Sequence, residues 1–218
     1  MKYELVIFDL DGTILDTLDD LADSTNVALQ MHEFPVRTRE EIRAFVGNGI
    51  LNLMQKAVPE GTTEAKVKEV LADFKKYYGV HCADKTKPYD GILALLQELK
   101  EKGYQTAVVS NKADFAVQEL CEQYFPKMFD YVVGEREGVR KKPAPDSVYE
   151  VLKVLHIEKE RAVYVGDSEV DVETAKNAQM NNIIVEWGFR DREYLMERGA
   201  KVLVSTVEDL RTHIYENN

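Results

Sequence analysis

The sequence predicts an α/β fold, a doubly wound parallel sheet whose alternation of strands and helices is interrupted once by a helical insert. Six short apolar segments along the 218 residues have the length and composition of buried strands, and helical patterns separate most of them. The predicted strands are residues 5–8, 106–109, 131–133, 162–165, 183–185 and 202–204. Strands that helices cover on both faces are typical of a parallel sheet, so we expect one such sheet to form the core.

The region between the first two predicted strands shows helical periodicity only. One apolar stripe at helical spacing consists of Val67, Val70, Leu71, Phe74 and Tyr78. Thr38 and Glu41 have the spacing of a capping box that opens a helix over 42–46. We therefore expect two domains, an α/β core from residues 1–15 and 84–218 and a helical domain from residues 16–83.

Composition limits the class of protein. A chain that is 44% hydrophobic at this length can bury a sizeable core. The formal net charge of −11 argues against a nucleic-acid partner. No signal peptide is recognisable, and no apolar run approaches the roughly 20 residues that span a bilayer. We expect a cytoplasmic protein without a membrane partner, monomeric or homodimeric, and Cys82 and Cys121 suggest neither a disulfide framework nor a zinc site.

Two carboxylates lie at the end of the first predicted strand. Asp9 and Asp11 follow the apolar run 5–8, and Gly12 comes next. In open α/β sheets, ligands bind in the crevice outside the carboxyl ends of the strands. Two carboxylates this close repel each other, which favours a metal ion or a shared proton between them. The alternative is an ordinary turn in which Asp and Gly supply only turn geometry.

Polar residues also follow the second and fourth predicted strands. Ser110 and Asn111 follow one, and Asp167, Ser168 and Asp171 follow the other. Each group has a structural alternative: Ser110 or Asn111 could cap the next helix, and Ser168 with Asp171 has capping-box spacing. Because the carboxyl ends of parallel strands meet at one edge of a sheet, we expect both groups to lie near the first two carboxylates.

A basic segment, 140–146 (RKKPAPD), lies between the third and fourth predicted strands. It could be a solvated surface patch. However, the chain now offers four features near strand ends: the first two carboxylates, the two polar groups and this basic segment. Their joint occurrence favours one shared site over four unrelated coincidences.

These four motifs resemble those of the haloacid dehalogenase (HAD) superfamily of phosphotransferases. They are 9–13 (DLDGT), Ser110, 142–145 (KPAP) and 166–171 (GDSEVD). The segments 45–49 (FVGNG) and 142–146 (KPAPD) are most similar to the phosphoglycolate phosphatase-like branch. One departure is 88–91 (PYDG), where relatives commonly carry a second proline before the glycine. The resemblance spans essentially the whole chain and implies a Rossmann-like HAD core with an inserted helical cap domain.

The resemblance also implies a chemistry. Asp9 would be the nucleophile that forms an aspartyl-phosphate, and Asp11 the general acid and base. The carboxylates of Asp9 and Asp167, with the backbone carbonyl of Asp11, would bind Mg²⁺. Ser110 would hydrogen-bond the phosphoryl oxygens, and Lys142, which immediately precedes the first proline as the family's lysine does, would neutralise their charge.

Supporting and substrate-binding roles complete the expected site. Asp171 and Ser168 would act from the second layer around the metal ion and Lys142. Thr13 and Asn111 are further candidates for substrate binding.

In the insert, the loop Gly47, Asn48 and Gly49 could bring backbone amides to a small anion, although a plain helix–helix turn explains it equally well. Trp187 and Phe189 follow the fifth predicted strand and could border the site, but residues of this kind are more often core or rim than ligand contacts, so we do not count them among the site residues.

The expected function is Mg²⁺-dependent hydrolysis of a small phosphorylated metabolite, phosphoglycolate-like. A β-phosphoglucomutase-like phosphomutase shares every core residue, and a pyrophosphatase is also open. Dehalogenase and phosphonatase chemistries are disfavoured by Asp11. A non-catalytic phosphate-sensing protein on the same fold is a remote alternative, because a binding module needs no nucleophile paired with an acid.

Overall fold

The computed structural model describes residues 3–216, and the chain divides into two compact units. The α/β unit combines the chain up to Leu15 with the chain from Pro88 onward, and the helical unit comprises Asp16–Lys87. The second boundary lies four residues beyond the predicted 83/84 boundary. The backbone N–H groups of Lys85 and Thr86 donate to the buried Asp20 carboxylate at 2.8–3.0 Å, which ties this stretch to the helical unit.

The strands, numbered along the chain, are β1 (Leu5–Phe8), β2 (Leu15–Asp16), β3 (Lys87–Pro88), β4 (Gln105–Ala113), β5 (Tyr131–Glu135), β6 (Ala162–Gly166), β7 (Asn181–Val185) and β8 (Leu203–Val204). A six-stranded parallel sheet has the order β5-β4-β1-β6-β7-β8. The short strands β2 and β3 pair where the chain passes between the units. All six predicted strands are present, and the predicted fold class is confirmed.

The helical unit contains α1 (Leu18–Met31), α2 (Arg39–Phe45), α3 (Gly49–Ala57) and α4 (Glu64–His81). Helix α4 packs against α1 and buries four members of its predicted stripe, while Leu71 stays half-exposed. Thr38 and Glu41 form the predicted capping box at the start of α2.

The remaining helices are α5 (Ile92–Glu101), α6 (Asp114–Tyr124), α7 (Asp146–Leu155), α8 (Glu169–Ala178), α9 (Arg192–Glu197) and α10 (Val207–Glu216), with a 3₁₀ turn at Lys159–Arg161. On one face of the sheet, Leu5 and Ile7 of β1 pack with Val148 of α7 and Ala175 of α8. All four residues of β1 are buried, as expected for a central strand covered on both faces. No helix within residues 3–216 combines the length and apolarity needed to cross a membrane.

Strand β4 continues four residues beyond its predicted end. Ser110, Asn111 and Lys112 are buried within the strand, and its register with β5 shifts between Val109 and Ala113. The alternative that Ser110 or Asn111 caps the next helix is therefore wrong, because α6 begins only at Asp114 and Ala113 precedes it. Polar side chains are tolerated here since each finds a partner at the carboxyl edge of the sheet.

Candidate active site

Three strands bring the predicted site residues to one edge of the α/β unit. Asp9 directly follows β1, Ser110 lies near the end of β4, and Asp167 directly follows β6. These side chains are buried, as is Lys142. The parallel order β4-β1-β6 explains the gathering, because it aligns the carboxyl ends of three neighbouring strands.

Lys142 is the cationic centre of this cluster. Its Nζ lies 2.9 Å from Asp9 Oδ1 and 2.8 Å from Asp171 Oδ1, and it donates to the Tyr164 hydroxyl at 3.0 Å. Burial alone would lower the pKa of Lys142, but Asp171 and Asp9 hold this pKa well above its usual value. The two carboxylates therefore favour the charged ammonium group, which three partners hold in place. The surface-patch alternative applies instead to Arg140, which is exposed and pairs with Asp146.

Tyr164 is a site residue that sequence analysis missed. It lies fully buried in β6, and its hydroxyl is 3.3 Å from the Val109 carbonyl and 3.2 Å from Asp171 Oδ1. Burial raises the pKa of Tyr164 well above its usual value, so the hydroxyl keeps its proton and can donate while accepting from Lys142. The only signal in the sequence was a tyrosine within an otherwise aliphatic strand.

Asp171 combines the two roles that the sequence left open. Its Oδ2 accepts from the backbone N–H groups of Asp167 and Ser168 at 3.2 and 3.1 Å, and from the Ser168 hydroxyl at 2.7 Å. It thereby caps the start of α8, while Oδ1 orients Lys142. Carboxylate oxygens of Asp9, Asp167 and Asp171 lie within 4.8 Å of one another. Because Asp171 is already saturated with donors, Asp9 and Asp167 are the two carboxylates available to a cation.

The electrostatics at Asp9 and Asp167 favour a cation. Desolvation raises the pKa of Asp9 to about 7, with Asp171 and Asp11 adding to the rise and Lys142 opposing it. Burial, together with Asp171 and Asp9, also raises the pKa of Asp167 well above its usual value. Among the described residues, Asp9 Oδ1 has no hydrogen-bond partner in good geometry, despite its ion pair with Lys142. Buried carboxylate oxygens are hard donors, and a cluster of them in which burial disfavours the ionised form fits Mg²⁺.

Thr13 and Asn111 support the site from within the protein. Thr13 is fully buried, and its hydroxyl donates to Asp167 Oδ1 at 3.2 Å. Asn111 Nδ2 donates to the backbone carbonyl of Lys142 at 3.1 Å, which fixes the segment that carries the lysine. Both side chains thus contact residues of the candidate site, Asp167 and Lys142. That they also contact a substrate stays a prediction.

The predicted anion loop belongs to the helical unit. Asn48 precedes α3 without a side-chain cap, and Gly47 and Gly49 adopt φ of 121° and 80°. Positive φ favours glycine, so the loop's composition is explained by its turn. Contact of these three residues with a substrate stays a prediction.

Lys112, also missed by sequence analysis, holds the carboxylate of Asp11. Its Nζ lies 2.9 and 3.1 Å from the two oxygens of Asp11, and its side chain is only 3% exposed. A cation on the carboxylate predicted to transfer protons fixes both its position and its orientation.

We expect Lys112→Met to lower kcat by about tenfold on alkyl phosphates, a fraction of what general acid–base catalysis contributes. The loss should be smaller on an aryl phosphate, whose leaving group needs less protonation. Steady-state kinetics on the two ester classes measures this difference. Lys153→Met, an exposed position on α7, is the matched control. Equal losses on both ester classes would contradict the role of Lys112 in orienting Asp11.

Comparisons with known proteins agree with the fold. The haloacid dehalogenase-like hydrolase family model matches residues 6–185. A phosphoglycolate phosphatase of Aquifex aeolicus is 31% identical over 186 residues, 85% of each chain. The pyrophosphatase PpaX of Listeria monocytogenes is 30% identical over 213 residues, 96% of this chain and 95% of that one. A crystal structure from Lactobacillus delbrueckii, provisionally described as a phosphoglycolate phosphatase, superposes with a TM-score of 0.94 at 42% identity, covering 98% and 99% of the two chains.

The matched range contains five predicted site residues: Asp9, Asp11, Ser110, Lys142 and Asp167. It also spans the parallel sheet from β1 to β7. The family resemblance predicted from four short motifs is therefore confirmed, and the chain belongs to the haloacid dehalogenase-like hydrolase family.

Proposed function

We propose that the protein is a Mg²⁺-dependent phosphatase that hydrolyses a small phosphorylated metabolite, phosphoglycolate-like, through an aspartyl-phosphate on Asp9. The observation that carries this proposal is the pairing of Asp9 with Lys142 at 2.9 Å, beside the buried Asp167. A carboxylate held against a fixed cation can attack a phosphoryl group while the cation balances the charge on the oxygens.

In the first step, an Asp9 oxygen bonds to phosphorus and the bond from phosphorus to the leaving oxygen breaks. Asp11 gives its proton to that leaving oxygen. In the second step, Asp11 takes a proton from a water molecule that attacks phosphorus, which releases inorganic phosphate and restores Asp9. Ser110 and Lys142 hold the phosphoryl oxygens through both steps.

The metal site of this proposal consists of the carboxylates of Asp9 and Asp167 and the backbone carbonyl of Asp11. A bound Mg²⁺ supplies charge neutralisation for the phosphoryl oxygens and favours the ionised form of the nucleophile. The chain itself holds Asp167 in place through Thr13 and through the backbone N–H of Phe189.

Two observations bear on the substrate. The matched relatives include phosphoglycolate phosphatases, which supports a small phosphate monoester. The pyrophosphatase relative, which covers 96% of this chain, favours inorganic pyrophosphate as the second candidate. In either case the helical unit, inserted directly after the first catalytic strand, is proposed to act as a cap that selects the substrate.

Phosphate release from 2-phosphoglycolate, pyrophosphate, a sugar 1-phosphate and an aryl phosphate tests the proposal. We expect turnover with Mg²⁺, none in EDTA, and the highest kcat/KM on 2-phosphoglycolate. A preference for pyrophosphate would select the second candidate. Full activity in a metal-free preparation would contradict the metal assignment, and no hydrolysis of any ester would contradict phosphatase function.

A further inference from the structure

We propose that three residues directly after β7, Trp187, Gly188 and Phe189, form a clasp that positions Asp167 for metal binding. This inference rests on the proposed function, because it concerns the metal site assigned there. The three residues lie outside the four motifs. A plain core or rim role for them would not require contacts with the metal site.

The first observation is that the clasp holds one oxygen of the Asp167 carboxylate and Thr13 holds the other. The backbone N–H of Phe189 donates to Oδ2 at 2.7 Å, while the Thr13 hydroxyl donates to Oδ1 at 3.2 Å. Asp167 is only 1% exposed, so little solvent competes for these bonds. With one donor on each oxygen, the plane of the carboxylate is set before any ligand arrives, as second-layer partners commonly do for metal ligands.

The second observation links the clasp to the loop after β1. The indole Nε1 of Trp187 donates to the backbone carbonyl of Thr13 at 3.1 Å. Thr13 belongs to the same short loop as Asp9 and Asp11. The clasp therefore contacts both sides of the proposed metal site, the Asp167 side through Phe189 and the Asp9 side through Trp187.

The third observation is that Gly188 leaves no room for a side chain. A Cβ at this position would lie 2.3 Å from Asp167 Cβ, 2.4 Å from Asp167 Oδ2 and 2.5 Å from the carbonyl oxygen of Gly12. Gly12 itself has φ +84°, and a Cβ there would lie 2.5 Å from Asp167 Oδ2. The carboxylate thus lies against the backbone of two glycines, and a methyl group on either must displace it.

An ion pair anchors the residue that follows the clasp. Arg190 is 9% exposed, and its Nε lies 2.8 Å from a carboxylate oxygen of Glu169, in the first turn of α8. Helix α8 begins two residues after Asp167. This ion pair therefore holds the clasp close to Asp167, the metal ligand that the clasp positions.

The test uses the full-length protein and Mg²⁺ without substrate. Trp187 is the single tryptophan, so its fluorescence reports directly on the clasp. We expect Mg²⁺ to change the emission of the wild-type protein and to raise its Tm, both saturating at one midpoint concentration. We expect Gly188→Ala to raise that midpoint about 10- to 100-fold, the usual effect of disturbing a partner of a metal ligand. In EDTA the Tm of this variant should stay close to the wild-type Tm. The main effect of the substitution should be on the Mg²⁺ midpoint.

Gly79→Ala is the matched control, because it adds the same methyl group in α4 where nothing lies within 4 Å. Its midpoint should equal that of the wild type. Trp187→Phe, read by Tm, is the second variant should Gly188→Ala not fold. It removes the bond to Thr13 but keeps an aromatic ring, and we expect a several-fold higher midpoint. Unchanged midpoints in the folded clasp variants would overturn the clasp alone. A wild-type protein without any response to Mg²⁺ would overturn the metal assignment and the clasp with it.

Discussion

Replacing Asp9 by Asn is expected to abolish turnover, with kcat lower by a factor on the order of 10⁴ or more, as when other covalent nucleophiles are removed. The amide has no charged oxygen to bond to phosphorus, so the covalent step of the proposed mechanism cannot begin. Rapid acid quench after mixing with a labelled aryl phosphate measures the phosphoenzyme, which should be sensitive to hydroxylamine. We expect the label in the wild-type protein and none in Asp9→Asn.

Asp11→Asn is the informative partner of that variant. It keeps the backbone carbonyl proposed as a metal ligand, so the response of Tm to Mg²⁺ should persist. It removes the acid and base, so phosphoenzyme should still form from an aryl phosphate and break down slowly. A hydroxylamine-sensitive phosphoprotein at wild-type level in Asp9→Asn would show that another residue is the nucleophile.

Asp171→Asn should have the largest effect on stability. Both oxygens of Asp171 are in use, one by Lys142 and Tyr164 and the other by two backbone N–H groups and the Ser168 hydroxyl. An amide can satisfy one side and must present its NH₂ group to donors on the other. Breaking a buried ion pair in this way costs about 3–5 kcal/mol. For a chain of this size, that lowers Tm by roughly 10 °C. Because Lys142 loses an orienting partner, kcat should fall as well.

Thermal unfolding in EDTA, followed by kinetics at a temperature where both proteins are folded, separates the two effects. Asp146→Asn is the control, since Asp146 pairs with the exposed Arg140. An exposed pair contributes at most about 1 kcal/mol, so this change should shift Tm little. If Asp171→Asn were as stable as Asp146→Asn, the network around Lys142 would not hold the fold.

The sequence by itself determined the sheet and the principal site residues. Each strand is a short apolar run, and in a parallel sheet the residue after such a run must lie at the carboxyl edge. This rule alone brings Asp9 and Asp167 together, although they are far apart in the chain. Lys142 was identified from the family resemblance, in which the lysine immediately precedes a proline, and the structure puts its Nζ against Asp9.

Only the tertiary structure decided how these residues are held. Lys112 contacts Asp11 across 101 positions of sequence, Tyr164 meets Lys142 across 22, and Trp187 reaches Thr13 across 174. The end of the helical unit was decided in the same way, because the Asp20 carboxylate accepts a hydrogen bond from the backbone N–H of Lys85, 65 residues away. A periodic or local pattern records which face of an element is buried, but it carries no information about which distant group a buried polar atom will meet. That choice follows from the packing of whole elements, because each buried donor and acceptor must find its partner in the folded chain.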